Sequence, residues 1–293
     1  MAAGSLTYLN EGAISLAAAN WDDTIGPVFE ATLAIDRGSQ DIVNDLDFTA
    51  MTTGGISSLD IRPQFTGNIG TAAVPLKIAA TENTATIYYN AGNGNFYLQA
   101  ANTADSNVNS NIELSGGAGG TLHLIAGTFT NVTICGGTCR IYAGAVVTNL
   151  RVLGGTVIQE YNATANTLVD LAGGTVTTER GVVTCKMLSG TSLVADIKGS
   201  GVLGSTLFEQ NGGMLDHRAG NMPVAVFRAG SYNNQNARRA STIAATSAEV
   251  WAGYYGAQMR SPGNQVTWTT ANITFRGSNA GPSYMAGMPQ INY

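Results

Sequence analysis

Val132-Thr-Ile-Cys-Gly-Gly-Thr-Cys-Arg-Ile141 decides the fold of this chain. Its Gly136-Gly137-Thr138 centre recurs as Gly119-Gly120-Thr121, Gly154-Gly155-Thr156 and Gly173-Gly174-Thr175, then decays to Ser189-Gly190-Thr191 and Gly212-Gly213-Met214. The second glycines fall at Gly120, Gly137, Gly155, Gly174, Gly190 and Gly213, so the interval is short and nearly constant until the last, longer step. A period this short, with β-type sequence between the marks, predicts a solenoid: each unit is too small to bury its own apolar face, so units must stack.

The flanks of each mark alternate. Counting back from the first glycine (Ser189 in the fourth unit), the second position holds Ile134, Val152, Leu171 and Met187. The fourth holds Val132, Leu150, Val169 and Cys185, and the polar third holds Thr133, Arg151, Asp170 and Lys186. Beyond the mark come Leu122, Cys139, Val157 and Val176, then, two further on, Leu124, Ile141, Gln159 and Thr178. Period-two alternation belongs to strands buried on one face. Each unit therefore reads as two short strands, a tight glycine corner, and a looser corner near Gly127, Gly144, Asn162 and Gly181. The double glycine is expected to supply φ > 0 or a bend that a Cβ would obstruct. Stacking places Arg151, Asp170 and Lys186 in one ladder of alternating sign, each exposed pair adding ~0.2–1 kcal/mol. The apolar columns supply most of the stability, at roughly 1.5–3 kcal/mol per fully buried large side chain.

The predicted fold class is all-β: a parallel β-solenoid, expected to be a right-handed β-helix, with a less regular aromatic C-terminal cap or docking region. Three regions follow. Residues 1–111 form an N-terminal lead-in with irregular β coils, 112–232 the regular solenoid, and 233–293 the C-terminal cap or interface region. In the lead-in, Ile56–Ile61, Pro75–Ile78, Ala85–Tyr89 and Asn95–Gln99 already alternate, with turns at Gly67–Gly70 and Gly92–Gly94. The last region shows no period but carries Trp251, Tyr254, Tyr255, Trp268 and Tyr284 with Arg238, Arg239 and Arg260. These eight are the candidate interface residues, because Tyr, Trp and Arg dominate hot spots. They would cap the last coil, whose open edge needs cover, or anchor a neighbouring subunit.

Composition bounds the function. Charged residues are 11% of the 293, well under the roughly 25% of an average globular chain. Lysine is limited to Lys77, Lys186 and Lys198, against 37 Gly. Such a weakly charged, small-residue composition suits repetitive extracellular or virion proteins better than a cytosolic enzyme. Residues 1–60 hold nine acids and one base, a net of −8; residues 217–293 hold six arginines and one acid, a net of +5. No basic run or nucleic-acid motif is present, so no nucleic-acid partner is expected. No run of 18 apolar residues exists, so no membrane partner is expected. The start, Met1 to Ser5, lacks a basic segment and an apolar core, so no secretory signal is read there. Cys135, Cys139 and Cys185 read as core thiols rather than metal ligands.

Leu59-Asp-Ile-Arg-Pro-Gln-Phe-Thr-Gly-Asn-Ile-Gly70, with Pro75-Leu-Lys-Ile78 and the earlier Trp21-Asp22-Asp23, resembles β-helical structural proteins of tailed bacteriophages over about residues 15–200. The resemblance implies a virion component made in the host cytoplasm: a capsid decoration (cement) protein, or a fibre or spike. It also implies a homotrimer, with the major capsid protein or another virion protein as partner. The short chain, the absence of a coiled coil or collagen-like run, and the opposite charge of its ends favour the capsid surface over the tail.

The chain is read as non-enzymatic, with no cofactor and no metal site. Glu160 and Glu179, at matching places past the second glycine of their pairs, are the only carboxylates with a claim to catalysis. They are expected to stack on neighbouring coils a few ångströms apart, and paired carboxylates at about 5–5.5 Å suit a retaining glycosidase. Their place near the looser corner reads as a solvated acidic pair. Arg140, Tyr142 and Arg180 could line a sugar patch, but no Tyr or Trp stripe is read along the coils. His123 and His217 have no nucleophile or acid at readable spacing and are expected at the surface. No P-loop, dinucleotide fingerprint, HExxH or EF-hand is present. The alternative to the coat role is a tail fibre or tailspike module that recognises, or cleaves, host surface glycan.

Overall fold

The structure is a computed structural model that describes residues 5–8, 32–44, 46–47, 58–78, 86–90, 93–100, 111–114, 120–233, 241–243, 247–251, 254–258, 266–268 and 273–276. For Ser5, Leu6, Tyr8, residues 111–113 and everything from 241 onward, the description is of the backbone. The chain is a parallel β-solenoid. No helix occurs among the described residues. Two compact units divide the chain near residue 150: residues 1–150 with 154–157, and residues 151–153 with 158–293.

The first unit contains β1 (Ser5–Tyr8), β2 (Thr32–Gly38), β3 (Ser58–Phe65), β4 (Leu76–Ile78), β5 (Thr86–Tyr89), β6 (Phe96–Ala100), β7 (Asn111–Leu114) and β8 (Thr121–Ile134), followed by most of β9 (Thr138–Val152) and the start of β10 (Thr156–Gln159). Its strands form two parallel files. One runs β1, β2, β3, β5, β7 and the end of β8; the other runs β4, β6 and the beginning of β8. Registers line up Leu33, Leu59, Ile87, Ile112 and Val132 in one column. The numbering of that column shows that the coils here are longer than those around the Gly-Gly-Thr marks, yet the strands stay aligned. Ile42, Ile69, Phe96 and Leu122 make a second column, with no member more than 1% exposed.

The second unit holds β11 (Asn166–Leu171), β12 (Thr175–Thr178), β13 (Val182–Met187), β14 (Ser192–Asp196), β15 (Leu203–Ala219), β16 (Val224–Asn233), β17 (Ser241–Ile243), β18 (Ser247–Trp251), β19 (Tyr254–Gln258), β20 (Val266–Trp268) and β21 (Ile273–Arg276). One file runs β11, β13, β15, β16, β18, β21 and aligns Val169, Cys185, Phe208 and Ala225. The other runs β12, β14, β15, β16, β19 and aligns Val176, Leu193, Leu215 and Tyr232. All eight of these side chains are buried. The strands of the aromatic C-terminal stretch, where no period is legible, also pair in parallel: β18 with β16, and β21 with β18.

The corners follow from backbone sterics. The second glycine of each later pair has positive φ: 64° at Gly137, 76° at Gly155, 70° at Gly174, 79° at Gly190 and 73° at Gly213. Only glycine adopts that region without strain. In the longer coils a different device appears. Gly67, Gly94 and Gly120 stack so closely that a Cβ on each would strike a carbonyl of the preceding coil: Gln40, Gly67 and Gly94 respectively. The looser corner is not always a break, because β8 and β9 run on through Gly127 and Gly144.

Candidate functional site

The charge ladder predicted from Arg151, Asp170 and Lys186 is present and longer than read. Arg151 Nε lies 3.6 Å from Asp170, and Asp170 is in register with Lys186. Lys186 is in register with Glu209, and Glu209 is ion-paired to Arg228. Five charges of alternating sign therefore climb one face of the second unit. Glu209 escaped the sequence reading because the step into its coil, from Gly190 to Gly213, is longer than every step before it.

Glu160 and Glu179 do occupy successive coils: the Glu179 amide donates to the Gln159 carbonyl at 3.1 Å. Both side chains are half-buried. Glu179 is fully engaged. One of its oxygens is 2.6 Å from Lys198 Nζ, and the other accepts the Tyr161 amide at 3.2 Å. The Glu160 carbonyl accepts from Arg180 Nε at 3.0 Å. Arg180 is wholly buried, which corrects its expected place in a surface sugar patch. Burial draws its guanidinium down to about 10, with the Glu160 charge pulling the other way. The arrangement ties the looser corner to its neighbours.

His217 is also a correction. It is buried, not at the surface. Leu215 faces in, and alternation carries His217 to the same side, in register with Ala195. The signal was legible in the alternation. Cys139 and Cys185 lie in the core as expected, whereas Cys135, at the glycine corner, is only half-buried; burial pushes the Cys139 and Cys185 thiols up.

An aromatic and amide stripe on the first unit was read only at Arg140 and Tyr142. Asn68 donates its amide N–H and its Nδ2–H to Asp41 Oδ1 at 2.8 and 2.9 Å. Asn95 repeats this on Asn68 Oδ1 at 2.7 and 3.1 Å. His123 Nε2 lies 3.4 Å from Asn95 Oδ1, which can only accept, so Nε2 carries the proton. Nδ1 then accepts from the Tyr142 hydroxyl at 3.1 Å. The Tyr97 ring stacks on His123 at 4.2 Å and 9°, and the exposed Arg140 guanidinium sits 5.0 Å over Tyr142. Burial, then the Arg140 charge, lower His123 to about 4, so it is neutral at pH 7. A Tyr97–His123–Tyr142 stripe thus runs across coils where none was read. Its signal was the even recurrence of Asp41-Ile42, Asn68-Ile69 and Asn95-Phe96, at an interval longer than the period that dominates the middle.

Of the candidate interface residues, Trp251, Tyr254, Tyr255 and Trp268 lie on β18, β19 and β20, where the backbone is described. Arg238, Arg239, Arg260 and Tyr284 lie outside the described residues, as does Trp21-Asp22-Asp23. Among the described residues no three His, Cys, Asp or Glu side chains gather to hold a metal, and no helix is long and apolar enough to cross a membrane.

The class these features define is a parallel β-solenoid whose outer faces carry polar ladders. No protein-family model, no curated protein and no solved structure matches the chain.

Proposed function

We propose that this chain is a non-enzymatic structural protein of a tailed-phage particle: a capsid decoration (cement) protein that binds and stabilises the shell. One observation carries the reading. Three carboxylates along the second unit are committed to holding coil to coil, Asp170 by Arg151, Glu179 by Lys198 and Glu209 by Arg228. Such stacked coils offer register-locked surfaces rather than a poised acid or nucleophile. It acts by burying surface across capsomer joints, at about 1,200–2,000 Å² per standard interface. Many copies add avidity without further chemistry. The resemblance noted above and the opposite charge of the two ends point the same way. A homotrimer and the major capsid protein are the partners this reading implies, with Trp251, Tyr254, Tyr255 and Trp268 at the contact. The test is cryo-electron microscopy of the particle that carries the protein. Density repeated over the icosahedral shell is the expected result; density confined to the tail or one vertex overturns the reading.

The Tyr97–His123–Tyr142 stripe favours a second reading, a fibre or spike module that holds host glycan. Aromatic faces with amide and guanidinium donors suit sugar rings and their hydroxyls or carboxylates. Under this reading Tyr97→Ala and Arg140→Ala abolish retention on host surface polysaccharide, with the fold intact by circular dichroism. Unchanged retention, or none by the parent protein, removes it.

A further inference from the structure

Gln159 closes β10 and Asn166 opens β11, so the two flank the corner formed by residues 160–165. Both point inward, at 1% and 0% exposure. Their backbones are engaged: the Gln159 carbonyl accepts from Glu179, and the Asn166 amide donates to the Gly181 carbonyl at 3.0 Å. Between the side chains there is one bond, from Asn166 Nδ2 to Gln159 Oε1 at 3.1 Å. Gln159 Nε2 and Asn166 Oδ1 are shut away from solvent and have no hydrogen-bond partner among the described residues.

This complement does not depend on how the amides are oriented. Exchanging nitrogen and oxygen in both reverses the bond between them and still leaves one N–H group and one carbonyl over. Exchanging only one sets N against N or O against O and destroys the bond. Every self-consistent arrangement therefore presents one buried donor and one buried acceptor, and buried polar groups in native proteins are almost always satisfied.

We propose that a single ordered water molecule is bound inside the second unit, bridging the side-chain amides of Gln159 and Asn166. A halide or carboxylate has no proton to give the carbonyl. A metal cation or ammonium has no lone pair to take the N–H. Water supplies both, and it is the smallest molecule that does so. It pins the β10–β11 corner from within and exchanges with bulk solvent only when that corner opens.

Two measurements on the full chain test this. A high-resolution crystal structure, including a bromide soak, is expected to place a water within hydrogen-bonding distance of both amides, without anomalous signal there. Amides turned onto other protein groups, or bromide in the site, overturn the proposal. Oxygen-17 relaxation dispersion is expected to count one fewer long-lived water in Gln159→Met/Asn166→Leu than in the parent. Equal counts in two folded proteins overturn it as well. The crystal structure of the parent decides the question alone if the double variant does not fold.

Discussion

His217 Nδ1 lies 2.9 Å from the hydroxyl of Tyr232 on the next coil, and both rings are buried. The other ring nitrogen, Nε2, is 2.8 Å from the Gly220 carbonyl and must donate to it, so Nδ1 accepts from Tyr232. Only the neutral imidazole fits this pair of partners without rearrangement. Burial is the main cause that lowers His217 to about 4, partly opposed by the Gly220 bond and the charge of Asp216. Burial likewise raises the Tyr232 phenol, with Asp216 adding to it.

Acid should therefore loosen the second unit. The folded pKa of His217 lies below the ordinary 6.5, so the unfolded chain binds the proton more readily. Its neutral form favours folding above pH 6.5, and that contribution declines between 6.5 and about 4. The full loss is on the order of 3 kcal/mol. Urea midpoints at pH 7, 5.5 and 4 are expected to fall in that order. His217→Gln should flatten the slope, leaving the part due to His123. A slope unchanged in His217→Gln would assign the acid sensitivity to carboxylates instead.

The two kinds of glycine should respond differently to a methyl group. At Gly94 the added Cβ meets the Gly67 carbonyl, a backbone atom that cannot swing aside. Gly94→Ala is expected to cost about 3 kcal/mol or more, as overpacking against fixed atoms does. At Gly190 nothing lies within 4 Å, but φ is +79°. Gly190→Ala should cost only the left-handed strain, about 1–2 kcal/mol. Thermal unfolding that ranks the two the other way contradicts the stacked-glycine account.

Charge reversal within the ladder should be felt in low salt. Glu209 lies between Lys186 in register on one side and its ion-pair partner Arg228 on the other. Glu209→Lys sets a cation between two others and is expected to lose about 1 kcal/mol. Much of the loss should vanish near 1 M salt, where the screening length is about 3 Å. A salt-independent loss would point to packing instead.

Glu179→Gln tests the role given to the best-placed carboxylate. It breaks the ion pair with Lys198 but leaves an oxygen to accept the Tyr161 amide. Expected is a stability loss under about 1 kcal/mol, in keeping with a half-exposed pair. Neither the parent nor Glu160→Gln/Glu179→Gln is expected to release reducing ends from host polysaccharide. Cleavage by the parent that the double variant lacks would make the protein an enzyme.

The regular coils were legible because alternation is local. Once a Gly-Gly-Thr mark sets the phase, Ile134, Val152, Leu171 and Met187 must share a face. The ladder of Asp41, Asn68 and Asn95 was harder to see. Its interval is even but longer than that of the Gly-Gly-Thr marks, and a short-period search passes over it. The C-terminal strands were illegible for the same reason: β18 pairs with β16, and β21 with β18, at intervals longer than those of the regular coils.

What the sequence determined by itself was a parallel β-solenoid with Cys139, Cys185 and the aliphatic columns inside. Strand periodicity and glycine sterics act over a short span of chain, and so can be read from a short span. Which buried polar side chains find a partner was decided by tertiary structure. Arg180, Gln159 and Asn166 face a corner that neighbouring chain closes over, and His217 is covered by the coil carrying Tyr232. Burial of a polar group depends on whether a neighbouring coil brings it a partner, and that neighbour is set by stacking rather than by adjacent sequence.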